Sequence, residues 1–174
     1  MPYNFIDRFD KLLDWNRVKI KLDYNAYNSS SNPRIVERGS VYYCFFGANI
    51  GSEQENKRPC VVIQRDSANR KSPNTIVAPI THTTSIVDVV VPIAAKYDTL
   101  GKLVLDGNVL LGNLVTISKS RLDNKIAKLT DSEMYAVDQA IIKSLGLAKM
   151  INKYENIIKN KDSYIAKLKS NITK

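Results

Sequence analysis

The chain has 174 residues, 44% of them hydrophobic, and a formal net charge of +9. That is enough apolar material for one substantial core, and no apolar run approaches the roughly 20 residues of a membrane span, which argues against a many-domain or membrane-spanning protein. The positive excess favours a polyanionic partner, nucleic acid being the commonest.

Residues 1–24 read as an amphipathic helix that ends before Asn25. Phe5, Ile6, Phe9, Leu12 and Leu13 recur at helical spacing, with Asp7, Arg8, Asp10 and Lys11 outside. The acids Asp7, Asp10 and Asp14 leave neither the basic start nor the unbroken apolar run of a secretion signal, so a cytoplasmic protein is expected. The turn-forming run from Asn25 to Pro33 begins a linker over residues 25–37.

From Arg38 short β-rich runs follow one another: VYYCFF from Val41, CVVIQ from Cys60, TIVAPIT from Thr75, VDVVVPI from Val87, VLLGNLVTIS from Val109 and KIAKL from Lys125. Many strands at short spacing without helices between them favour a small antiparallel barrel over an α/β sheet. Between the first two runs lies GSEQENKRP, Gly51 to Pro59, a polar connection longer than hairpin closure requires. Thr130, Asp131, Ser132 and Glu133 spell a capping box that opens a helix through Leu145. The barrel unit is therefore placed at 38–147.

Residues 148–174 form a basic helical extension, with seven lysines against Glu155 and Asp162, a net of +5. Ile151, Tyr154, Ile158, Ile165, Leu168 and Ile172 keep heptad-like spacing, interrupted by Lys161. Such a stripe needs a partner. The expected one is the N-terminal face of Phe5, Phe9, Leu12 and Leu13. Cys44 and Cys60 lie in apolar runs and read as buried thiols. His82 is the single histidine and no spaced cysteine pair exists, so no metal or other cofactor is expected.

The segment from Arg38 to about Leu147 resembles the MazF/PemK toxin family on RGSVYY, GSEQENKRPCVVIQRDSANRKSPNTIVAPIT and VLLGNLVTISKSRLDNKIAKLTDSEM. The resemblance implies a mainly β fold with helices, an SH3-like small antiparallel β-barrel of the MazF/PemK/CcdB kind, here with an added N-terminal helix and an extended C-terminal helix. It implies a homodimeric, metal-independent and sequence-selective endoribonuclease. Single-stranded RNA is the implied substrate and a MazE-like antitoxin the implied partner. The family's catalytic positions fall on Arg58 and Thr81. Its RNA-binding motif positions fall on Ser52, Glu53 and Gln54, with Asn69 and Asn113 as further candidates, while Lys119 and Arg121 in SKSRL are either phosphate contacts or solvated surface groups.

The chemistry suits those residue types. RNA is cut without metal when its own 2′-hydroxyl attacks the adjacent phosphate, leaving a 2′,3′-cyclic phosphate and a 5′-hydroxyl. A planar guanidinium at Arg58 can bind two phosphate oxygens and stabilise the growing charge, while Thr81 supplies a hydroxyl donor. The general base stays open, because a guanidinium with a pKa above ~12 is almost never neutral. His82, one residue along the strand from Thr81, is expected to face away as a bystander. Where the family commonly carries Glu-Gln, this chain has Gly112 and Asn113, so the cleavage sequence is not read across. A non-catalytic CcdB-like binding toxin and a repurposed interaction protein on the same fold are the alternatives.

Overall fold

A computed structural model of the chain describes residues 4–28, 34–82 and 89–172. In chain order the elements are α1 (Phe5–Asn28), β1 (Ser40–Gly47), β2 (Asn56–Val62), α2 (Asp66–Lys71), β3 (Asn74–Thr81), β4 (Val90–Tyr97), β5 (Leu103–Leu110), β6 (Val115–Ser118), β7 (Leu122–Lys128), α3 (Asp131–Ser144) and α4 (Ala148–Ile172). The strands form one curled antiparallel sheet in the order β4-β5-β3-β2-β1-β7, with β6 paired to β3 off that path.

Strand alternation divides the core between two sides of this sheet. Val41, Val61, Ile63, Ala78 and Ile80 face α3 and pack with its Val137 and Ala140. Their neighbours Tyr42, Cys44, Phe46, Cys60 and Val62 meet Val77, Ile117 and Leu122 on the other side. Full burial of one such aliphatic side chain contributes about 1.5–3 kcal/mol. Both cysteines are buried and free, as their apolar setting predicts. A hydrogen bond with Cys44, together with burial, pushes the Cys60 thiol well above its ordinary range, so it stays protonated.

The capping box stands as read. Thr130 Oγ1 accepts from the Glu133 backbone N–H at 3.3 Å, and Glu133 accepts from the Thr130 N–H at 2.8 Å. The same carboxylate accepts from Lys96 Nζ at 2.7 Å and from the Ala94 N–H at 3.0 Å, clipping β4 to the helix.

Several sequence boundaries move. α1 runs on to Asn28, and residues 34–37 are pinned to the sheet by buried Val36 and by Arg34, whose guanidinium donates to the Leu122 carbonyl at 2.6 Å. β2 begins at Asn56, four residues ahead of the apolar run, because its polar first half still pairs with β1. The run from Val109 to Ser118 is two strands separated by a 3-10 turn at Leu111–Asn113, where Leu111 turns into the core. The strand over Leu103–Leu110 carries only a weak β signal in the sequence, its alternation broken by Asp106-Gly107-Asn108. The start of VDVVVPI, before residue 89, lies outside the described residues.

The expected pairing of the terminal helices is overturned. The α4 stripe is left uncovered, with Tyr154, Ile158, Ile165 and Leu168 all exposed, and so are Phe5, Phe9, Leu12 and Leu13 of α1. The side chains that dock α1 are Arg8 and Lys11, expected on the outside, together with Trp15. Ion pairs to the Glu55 carboxylate and the packing of Trp15 against Gly47 define which side of α1 meets the barrel.

Candidate active site

Arg58 is the third residue of β2. Its Nε donates to the Glu55 carbonyl at 2.8 Å, and its Nη1 donates to Gln54 Oε1. The loop ahead of the strand thus holds the guanidinium from two sides. Thr81 closes β3. β2 and β3 pair Cys60 with Pro79, Val61 with Ala78 and Val62 with Val77. Continued by two residues, this register sets Thr81 level with Arg58 on the neighbouring strand.

Gly107 makes the position of Thr81 possible from the other side. It lies at φ +112°, and a Cβ there would stand 2.6 Å from the Thr81 carbonyl oxygen. Only glycine lets β5 approach this strand end so closely.

A groove of about 550 Å³ opens beside the loop and is lined in part by Glu53, Gln54, Asn113, Ser118 and Arg121. Gln54 joins the two features, since it both lines the groove and binds Arg58. Arg121 Nη1 donates to the Phe46 carbonyl at 3.1 Å. Glu53 accepts from the Ile50 N–H at 3.1 Å and so tightens the loop turn, while Ser52 stands exposed at its tip. Asn113 projects from the 3-10 turn and is exposed.

Two expected RNA contacts are corrected. Asn69 is fully buried, accepting from Thr75 Oγ1 at 2.8 Å and donating to the Gln64 carbonyl at 2.8 Å. Lys119 is buried as well, its ammonium donating to the Asn69 carbonyl, and burial lowers its pKa. Both tie α2 to the sheet and have no surface to offer RNA. The exposed His82 ring pairs with Asp106 at 2.6 Å. Among the described residues, no group of three or more His, Cys, Asp or Glu side chains is placed to hold a metal ion.

Glu55 escaped the sequence reading. Its carboxylate receives Arg8 Nη1 at 2.9 Å, Lys11 Nζ at 2.7 Å and the Asn49 N–H at 3.3 Å. The Lys11 hydrogen bond leads in lowering its pKa to about 2, outweighing the opposing effect of burial. Nothing local in GSEQENKRP distinguishes Glu55 from Glu53, because its charged partners lie more than 40 residues away in the chain.

The curled antiparallel sheet with its helices is the architecture of the MazF toxins. It matches MazF from Deinococcus radiodurans with a TM-score of 0.55 at 20% identity, over 65% of this chain and 98% of that one. It also matches a mycobacterial endoribonuclease in complex with its cognate antitoxin, with a TM-score of 0.53 at 22% identity, over 64% of this chain and 96% of that one. Residues 37–145 match the model of the PemK-like, MazF-like toxins of type II toxin-antitoxin systems, and the chain belongs to that family. Endoribonuclease EndoA of Bacillus subtilis (strain 168) is 41% identical over 114 residues, 65% of this chain and 97% of that protein. α1 and α4 lie outside the family match.

Proposed function

We propose that the protein is a metal-independent, sequence-selective endoribonuclease toxin that cleaves single-stranded RNA. The observation that carries this reading is Arg58, anchored by Gln54 and the Glu55 carbonyl beside a polar groove, in a chain of the MazF-like family. The RNA 2′-hydroxyl loses its proton and attacks the adjacent phosphorus. The P–O5′ bond breaks and O5′ takes up a proton, giving 2′,3′-cyclic phosphate and 5′-hydroxyl ends. Arg58 binds the non-bridging oxygens and stabilises the phosphorane, and Thr81 donates its hydroxyl to the same phosphate. Glu53, Gln54 and Asn113 present groups suited to base edges, while Arg121 and Ser52 suit phosphate or sugar.

A homodimer in the cytoplasm, held in check by a MazE-like antitoxin, completes the proposal. Its support is family membership and the solved relative bound to its cognate antitoxin. The test is primer-extension mapping of RNA ends after incubation with purified protein in EDTA. Clustered cuts with 5′-hydroxyl ends are expected. Loss of cleavage in EDTA with recovery on adding magnesium overturns metal independence, and no cleavage in either condition favours a non-catalytic binding toxin.

A further inference from the structure

α1 reaches the barrel at the loop between β1 and β2, Ala48 to Glu55, through side chains whose partners border the proposed site. Arg8 and Lys11 converge on the Glu55 carboxylate, and Arg8 also donates to the Asn49 carbonyl. Asn49 in turn donates its side-chain N–H to the Gln54 carbonyl at 2.7 Å. Glu55 and Gln54 are the two residues that hold Arg58. At the loop's other root, the Trp15 indole occupies the space where a Cβ at Gly47 would stand, and φ of +100° there also demands glycine. The Arg121 guanidinium lies 5.3 Å from the centroid of that ring, while its Nη1 donates to the Phe46 carbonyl.

We infer that α1 is a brace for the catalytic loop, with Glu55 as the positioning residue through which Arg8 and Lys11 set Arg58. The site of action rests on the ribonuclease reading above. The docking itself does not. A loop of this length, polar and led by glycine, samples many conformations when untethered, and each costs alignment of the guanidinium with phosphate. The ion pairs restrain the loop, with Arg8 and Glu55 partly shielded at 22% and 24% side-chain exposure. The groove stays open on the side away from the helix, as α1 contributes none of its lining. The helix therefore supports the loop without covering the groove.

Trp15 is the single tryptophan of the chain, so its emission reads the docking directly. Two full-length variants test the brace: Glu55→Gln, which keeps the backbone carbonyl that Arg58 uses, and Arg8→Ala with Lys11→Ala, which leaves the loop sequence intact. Thermal unfolding verifies that the barrel persists in each. The expected result is red-shifted emission that is more readily quenched by iodide, and faster amide exchange confined to residues 48–55. Cleavage of a short single-stranded RNA should lose roughly 10- to 100-fold in kcat, with KM changed far less. Lys11→Arg, which keeps the ion pair, should retain wild-type values in all three readouts. Unchanged kcat in a folded variant whose tryptophan has undocked overturns the positioning role, and a rise in kcat overturns it in favour of an inhibitory cover. If wild-type protein cleaves no RNA, the ribonuclease reading falls, and amide exchange still decides the brace: unchanged exchange over 48–55 in the variants removes it.

Discussion

Arg58 spends two of its five guanidinium N–H donors on its own loop, through Gln54 Oε1 and the Glu55 carbonyl, which fixes the plane of the fork that phosphate would meet. Arg58→Ala should lower cleavage by roughly 100- to 1000-fold, or ~3–4 kcal/mol, with the far-ultraviolet dichroism unchanged. Arg58→Lys should recover little of this, because an ammonium has charge but no planar fork; near-wild-type cleavage by that variant contradicts the bidentate role. Gly107 is the second sensitive position. Gly107→Ala combines φ +112° with a methyl 2.6 Å from the Thr81 carbonyl oxygen, and should cost about 1–3 kcal/mol in urea unfolding. It should also lower kcat by moving Thr81, and a folded variant with full stability would show that β5 can give way there.

Elements in this fold are joined by single carboxylates that serve two masters. Glu133 caps α3 through Thr130 and grips β4 through Lys96 and Ala94. Burial opposes its charged form, yet those hydrogen bonds prevail and lower its pKa from 4.5 to about 2. Glu55 shows the same depression to about 2 where α1 meets the loop. A carboxyl held below its unfolded value contributes stability that is complete above about pH 4.5 and is lost as pH falls toward 2. Melting temperature should therefore drop steeply below pH 4.5, and Glu133→Gln should flatten that slope while lowering stability at pH 7. An identical slope in Glu133→Gln would move the acid sensitivity to other groups. Thr130→Ala, removing only the cap, should cost about 1 kcal/mol.

At the scale of the whole molecule, a barrel with core clusters on both sides of its sheet carries two helices attached in different ways. α1 is tied down by charge and by Trp15, whereas the α4 side chains from Asn152 to Asn171 are exposed, including Ile157, Ile165 and Leu168. Removing residues 148–174 should leave the melting temperature within a few degrees, because little of the core is contributed beyond α3. It should also lower the salt sensitivity of RNA binding if the lysines of that segment touch phosphate. A large loss of stability on truncation would mean that α4 covers the barrel in solution. No helix among the described residues is long and apolar enough to cross a membrane, and the apolar stripe of α4 is interleaved with lysines.

What the sequence determined alone is local or periodic. The short β-rich apolar runs VYYCFF and CVVIQ placed β1 and the apolar half of β2, and the Thr130–Glu133 box placed the start of α3, because each signal is contained within a few residues. The ordered pieces from RGSVYY to TDSEM were enough to indicate the family to which the chain belongs. The tertiary structure alone decided which polar residues face inward. Asn69 and Lys119 look like surface groups in the sequence and are buried because α2 folds onto β3, where the carbonyl of one can satisfy the ammonium of the other. It also decided the rotation of α1. An apolar face specifies only which side of a helix avoids water, whereas the partners that fix this rotation, Glu55 for Arg8 and Gly47 for Trp15, lie more than 30 residues away in the chain.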